Sequence, residues 1–254
     1  MIKGLFAFYG LAFRNKENSL NVQKEISQSH IKFLESLKGY KIDVAINSYK
    51  TLYEKELISQ YQKYLICSNF IDDKKHQELF GEYPKQGTRI IANHTIEIIN
   101  QNVQIEDYDF VFICRIDGLL KDKFIEEFKL KDKVIYPHPI QSQKEIGPQN
   151  KKHYLGNEPQ TLFVGDAFII IPKKYFFILK HKDLLHHYAT DRLTSLDLYL
   201  GRDVDFFSHK YYSSNTREQR NPFYRLPNRS EGSDCWRGFE NKIFDIKKEE
   251  NYRA

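Results

Sequence analysis

Two residues of opposite charge, Arg115 and Asp117, follow directly on an apolar run in YDFVFICRID, residues 108–117. On an extended strand residues two apart share a face, so both side chains are expected to project together while Ile116 turns into the packing. A guanidinium forks onto phosphate oxygens. A single carboxylate holds a hard divalent cation, Mn²⁺ or Mg²⁺, when phosphate oxygens and water complete the shell. The alternative is an ion pair internal to the strand end, and spacing alone does not separate the two.

Further polar groups stand at the ends of other apolar runs. Tyr9, Gly10 and Arg14 close or follow residues 3–9, and Asn47, Ser48 and Lys50 close or follow residues 41–49. In open α/β sheets ligands bind outside the carboxyl ends of the strands, so these three groups are expected along one edge. A fourth feature is Asp166 in FVGDAF, a carboxylate that interrupts an apolar run beside Gly165. A turn aspartate bonding its own backbone explains it, as does a carboxylate held on a rigid wall.

The elements that must position these residues alternate. Residues 3–9 are apolar or aromatic throughout, as in a strand covered on both faces. Val22, Ile26, His30, Phe33, Leu34 and Leu37 recur at helical spacing over 21–37, and Gly39 lies just past the end. A strand over 41–49, a helix over 51–64, a short strand over 63–70 and a helix over 90–102 follow, leading to the strand at 108–114. This β-α-β-α-β-α-β order predicts an α/β fold with a mostly parallel central sheet flanked by helices. Beyond Asp117 the rhythm is mixed: a strand in KVIYPHPI ended by prolines, a polar loop over 141–160, and a strand pair or broken strand in TLFVGDAFIIIP. Helices are expected over 175–185 and 190–200. The expected organisation is one domain, with a nucleotide-binding half over 1–120, an acceptor half over 121–205 and a C-terminal extension over 206–254.

Composition narrows the classes. The chain has 254 residues, 41% hydrophobic, 15% aromatic and 29% charged, the make-up of a globular protein rather than a disordered or fibrous one. The net charge of +5 is spread along the sequence and favours an anionic partner, which a nucleic acid or a phosphorylated small molecule satisfies equally well. Cys67, Cys114 and Cys235 lack the spacing of a disulfide framework or a zinc site. No segment reaches the roughly 18 apolar residues of a membrane span, and the N-terminal run reads as a strand rather than a signal peptide, so a cytoplasmic location is expected.

The order of elements, with YDFVFICRID, KVIYPHPI and FVGDAFIIIP, resembles nucleotide-sugar-dependent glycosyltransferases of the GT-A fold. It is most similar to bacterial and viral polysaccharide-type enzymes in which RxD stands where DxD is usual, and GLAFR, residues 10–14, resembles their turn after the first strand. The resemblance covers roughly residues 3–200. It implies transfer of a sugar from a nucleotide-sugar donor to a hydroxyl of a glycan or other acceptor. Arg115 and Arg14 would stabilise the departing diphosphate, a divalent cation would sit on Asp117, and Tyr9, Gly10, Asn47, Ser48 and Lys50 would line the donor. Asp166 would be the base on the acceptor side. Where the family has its first aspartate this chain has Arg115, which leaves Asp117 as the strand-end carboxylate or lets Arg115 replace part of the metal.

Two other readings remain open. A nucleotidyltransferase on a related fold would use the same strand-end aspartate and release pyrophosphate. A non-enzymatic nucleic-acid-binding protein would use the tail, where Arg217, Arg220, Arg225, Arg229 and Arg237 alternate with Tyr211, Tyr212, Phe223, Tyr224 and Trp236. That tail lacks a recognised nucleic-acid motif, so no specific nucleic-acid partner is expected.

Overall fold

Strand β1 (Ile2–Gly10) is buried along most of its length, and its side chains divide between two cores. Leu5, Ala7 and Tyr9 enter one; Phe6 and Phe8 enter the other. The alternation is that of any strand, but here both faces are apolar, so the strand must lie inside a three-layer structure. The computed structural model describes residues 1–13, 19–72, 74–75, 78, 87–137, 139–140, 163–164, 168–180, 204–207 and 223–225.

The first half follows the expected alternation. After β1 come α1 (Ser19–Ser36), β2 (Tyr40–Tyr49), α2 (Glu54–Tyr61), β3 (Leu65–Ile71), α3 (Gly87–Asn102) and β4 (Phe110–Arg115). A left-handed glycine, Gly39 at φ 83°, turns the chain from α1 into β2. Helix α2 starts later than periodicity suggests: residues 51–53 precede it in a turn where the Thr51 N–H donates to Glu54 Oε1 and Thr51 Oγ1 accepts from the Tyr53 N–H. A 3-10 turn, Ile105–Asp107, intervenes between α3 and β4.

The second half contributes β5 (Leu119–Leu120), α4 (Asp122–Glu127), β6 (Val134–Tyr136), β7 (Pro139–Ile140), β8 (Phe163–Val164), β9 (Phe168–Pro172), α5 (Phe177–Lys180), β10 (Val204–Phe206) and β11 (Tyr224–Arg225). Among the described residues seven strands form the central sheet, in the order β10-β6-β9-β4-β1-β2-β3. Strands β3, β2, β1 and β4 run parallel, and β9 enters antiparallel between β4 and β6. The expected break in FVGDAFIIIP is therefore a change of sheet: β8 pairs with β7, while β9 joins the central sheet.

Helices cover both faces. Phe33 and Leu34 of α1, Leu57 and Tyr61 of α2 and Phe124 of α4 pack on Phe6, Phe8, Phe110 and Phe112. On the opposite face Ile91, Ala92, Ile96 and Ile99 of α3 pack on Leu5, Ala7, Val111 and Ile113. The fold is thus a GT-A-like, Rossmann-like α/β arrangement with a mostly parallel sheet and a mixed C-terminal part. No helix among the described residues is long and apolar enough to cross a membrane.

Candidate functional site

Strand order reverses between β1 and β4. From β1 the chain proceeds outward to β2 and β3, then crosses back so that β4 pairs with the other edge of β1. At such a switch point the connections leave to opposite sides and open a crevice at the carboxyl ends. The residues placed there by register are Tyr9, opposite both Asn47 and Arg115, and Gly10, opposite Ser48. Five residues of the edge expected from sequence therefore lie side by side.

Arg115 and Asp117 meet, but not by sharing the face of an extended strand. Strand β4 ends at Arg115, and residues 115–118 form a turn closed by the Gly118 N–H on the Arg115 carbonyl at 3.2 Å. The turn folds Asp117 back onto the guanidinium. Arg115 Nε donates to Asp117 Oδ1 at 2.9 Å and Nη2 to Oδ2 at 2.8 Å, with the residues 6% and 2% exposed. Ile116 enters the core as expected, and its N–H donates to the Tyr9 carbonyl at 2.7 Å, tying the turn to β1.

The donor set does not fit a divalent cation on Asp117. Both carboxylate oxygens accept from Arg115, which places a fixed positive charge where the metal would bind. Among the described residues no three His, Cys, Asp or Glu side chains are grouped to hold a metal.

Beneath the turn lies a row of polar side chains, of which the sequence pattern places His30 on the inward stripe but not Gln23 or Ser27. Gln23, Ser27 and His30 occupy successive turns of α1 and are all buried, while Val22, assigned inward by periodicity, is only half-buried. Gln23 Oε1 accepts from the Phe13 N–H at 3.2 Å, and its Nε2 donates to the Ile116 carbonyl at 3.2 Å and to Ser27 Oγ at 3.4 Å. His30 Nε2 lies 2.6 Å from the Gly118 carbonyl, and Nδ1 lies 2.7 Å from the Tyr61 hydroxyl. A carbonyl only accepts, so Nε2 carries the proton and Nδ1 accepts from Tyr61. Burial holds the imidazole neutral, lowering its pKa to about 4, against the opposing effects of the Gly118 bond and the Asp117 charge. Ser29 Oγ accepts from the Leu120 N–H at 3.1 Å, just past the turn. The available signal was the spacing: polar residues at i, i+4 and i+7 beside Ile26, Phe33 and Leu34 sit on the buried face.

The other predicted residues divide. Ser48 Oγ donates to the Gly10 carbonyl at 2.9 Å and accepts from the Ala12 N–H at 3.4 Å, shaping the loop after β1. That loop uses left-handed backbone at Gly10, φ 108°, and at Phe13, φ 56°. The Asn47 amide faces α3 instead: Nδ2 donates to Thr95 Oγ1 at 2.9 Å and reaches His94 Nδ1 at 3.2 Å, while Oδ1 accepts from Asn69 at 2.7 Å. Lys50 is exposed beyond β2, and its N–H donates to the Ile71 carbonyl at 2.9 Å. Tyr9 is buried in the α3-side core. Arg14 and Asp166 lie outside the described residues.

No protein family model matches the chain, and no curated protein matches it. Solved structures resemble it over most of its length. The galactosyltransferase LgtC in complex with donor and acceptor sugar analogues is 10% identical at a TM-score of 0.46, over 97% of this chain and 95% of that one. The bifunctional glycosyltransferase WbbM is 13% identical at a TM-score of 0.46, over 98% of this chain and 51% of that one. A glycosyltransferase involved in glycosylation of the major capsid of PBCV-1 is 8% identical at a TM-score of 0.43, over 98% and 100%.

Proposed function

We propose that the chain is a glycosyltransferase that moves a sugar from a nucleotide-sugar donor to a hydroxyl of a glycan or other acceptor. The observation that carries this reading is the Arg115–Asp117 turn at the β1/β4 switch point, a cation oriented by a buried carboxylate where α/β sheets bind nucleotides. Tyr9, Gly10, Ser48 and Lys50 form the donor edge, and Asn47 supports it from the α3 side.

In the reaction the acceptor oxygen bonds to the anomeric carbon as the bond from that carbon to the diphosphate oxygen breaks. Negative charge grows on the departing oxygen, so a cation already aimed there stabilises the transition state more than the ground state. Arg115 takes that role, with Asp117 fixing the plane of its guanidinium, and Arg14 adds a second charge. In an inverting course Asp166 takes the proton of the acceptor hydroxyl. Neither step requires Asp117 to hold a metal.

The test is a thermal-shift screen of nucleoside diphosphates and nucleotide sugars, each with Mn²⁺ and with a chelator, followed by assay of released diphosphate. A ligand at about 100 times its Kd adds about 2.7 kcal/mol, about 5–10 °C for a chain of this size. Stabilisation by one base and release of its diphosphate are expected. Pyrophosphate release from a triphosphate would move the assignment to nucleotidyl transfer, and no response to any of these ligands would overturn it.

A further inference from the structure

The Gln23 amide touches both walls of the β1/β4 crevice. Its oxygen holds the Phe13 N–H in the loop after β1, and its nitrogen holds the Ile116 carbonyl in the turn after β4. Two turns of helix further along, His30 holds the Gly118 carbonyl. The two carbonyls bracket Asp117, the carboxylate that orients Arg115. We infer that Gln23 and His30 are positioning residues that set this turn, and through it the Arg115 guanidinium, for the anionic group bound there; the anion's identity rests on the proposed function.

The choice of partners supports a positioning role. A buried polar side chain must be bonded, because burial without a partner is costly. Gln23 and His30 satisfy that need with main-chain carbonyls of the turn. The Gly118 carbonyl fixes the His30 tautomer with the proton on Nε2, and the Tyr61 hydroxyl, from α2, donates to Nδ1. Ring stacking of His30 on Phe8, centroids 4.4 Å apart, fixes the imidazole plane. The turn is thus bonded at Ile116 from β1 and α1 and at Gly118 from α1.

The test uses the full chain with Gln23→Met, His30→Leu and His30→Gln, and with Ile99→Val in the opposite core as a destabilised control. Hydrogen exchange is followed at the Ile116 and Gly118 amides. Binding of ADP, CDP, GDP and UDP is titrated, and donor kcat and KM are measured with the nucleotide sugar of the base that binds. Gln23→Met is expected to speed exchange at both amides by about tenfold or more, as release of a bonded turn does. It is also expected to lower kcat/KM by about tenfold to hundredfold through misplacement of the cation, with the larger share in kcat. His30→Gln, which keeps an N–H donor, should recover part of what His30→Leu loses, and Ile99→Val should change neither readout. Wild-type exchange at Ile116 and Gly118 in Gln23→Met and His30→Leu would overturn the inference. If the unmodified chain binds none of the diphosphates, the sugar-transfer reading falls, and exchange alone decides whether these residues set the turn. Should Gln23→Met not fold, the His30 pair decides.

Discussion

Arg115 grips Asp117 through two parallel bonds, Nε to Oδ1 at 2.9 Å and Nη2 to Oδ2 at 2.8 Å, at the buried end of β4. Removing one member of a buried pair leaves the other charge without that compensation, a loss of about 3–5 kcal/mol. Asp117→Ala is therefore expected to lower Tm by roughly 6–20 °C, as well as to abolish donor turnover. The double variant Arg115→Met, Asp117→Leu, which removes both charges, should recover much of the stability and none of the turnover. Thermal denaturation of the three proteins beside a diphosphate-release assay checks both statements.

The same two bonds govern the response to metal. A cation on Asp117 would have to displace a guanidinium that is bound to both oxygens, so the nucleoside diphosphate should stabilise the chain equally with Mn²⁺ and with a chelator. Thermal shift under the two conditions tests this directly. A response seen only with Mn²⁺ would show that the pair opens on binding.

Sequence pattern revealed the first half of the fold because its strands are buried on both faces and read as unbroken apolar runs between amphipathic helices. It could not reveal the direction of β9: FIIIP is equally apolar whichever way it runs, and only its neighbours β4 and β6 decide. Strands of two or three residues, such as β5, β10 and β11, are shorter than any period. At the site, spacing identified Arg115 and Asp117, and the turn at Gly118 determined how they meet. Gln23 and Ser27 are not legible in the pattern because a polar residue on a helix ordinarily faces water, and what buries these is the chain packed over them. Asn47 shows the converse, a polar strand-end residue whose side chain bonds His94 and Thr95 of α3 and Asn69 of β3.

Asn47 bonds Thr95, His94 and Asn69, and all three lose a partner in Asn47→Ala. Leaving buried polar groups unsatisfied costs about 1–3 kcal/mol. The expected loss of Tm is roughly 2–12 °C, measured on the purified variant without ligand. Asn47→Asp should do no better, because it removes the N–H donors to Thr95 and His94.

Gly4 lies where β1 crosses the ring of Phe110. A Cβ at this position would run into the Phe110 ring and approach Ile42 Cδ1 to 3.0 Å. Both neighbours are in the packed core, so the ring cannot swing into solvent. Gly4→Ala is expected to destabilise by about 1–3 kcal/mol through overpacking. Urea denaturation measures it, and a stabilised variant would mean that the Phe110 ring can shift without loss.

His30 gives the fold an acid-sensitive component of defined sign. Burial lowers its pKa from 6.5 to about 4, outweighing the Gly118 bond and the Asp117 charge, both of which raise it. Between those values the unfolded chain binds a proton that the folded chain does not. Stability from this residue is therefore complete above 6.5 and falls with pH through the window to about 4, by on the order of 3 kcal/mol. Groups elsewhere titrate over the same range, so the measurement is a difference: unfolding of wild type and His30→Gln at about pH 7 and about pH 4.5. Wild type should lose its advantage over the variant at the lower pH, because a glutamine bonds Gly118 without titrating. An advantage that is equal at both pH values would mean that protonated His30 is tolerated in place, with Tyr61 turned to accept from Nδ1.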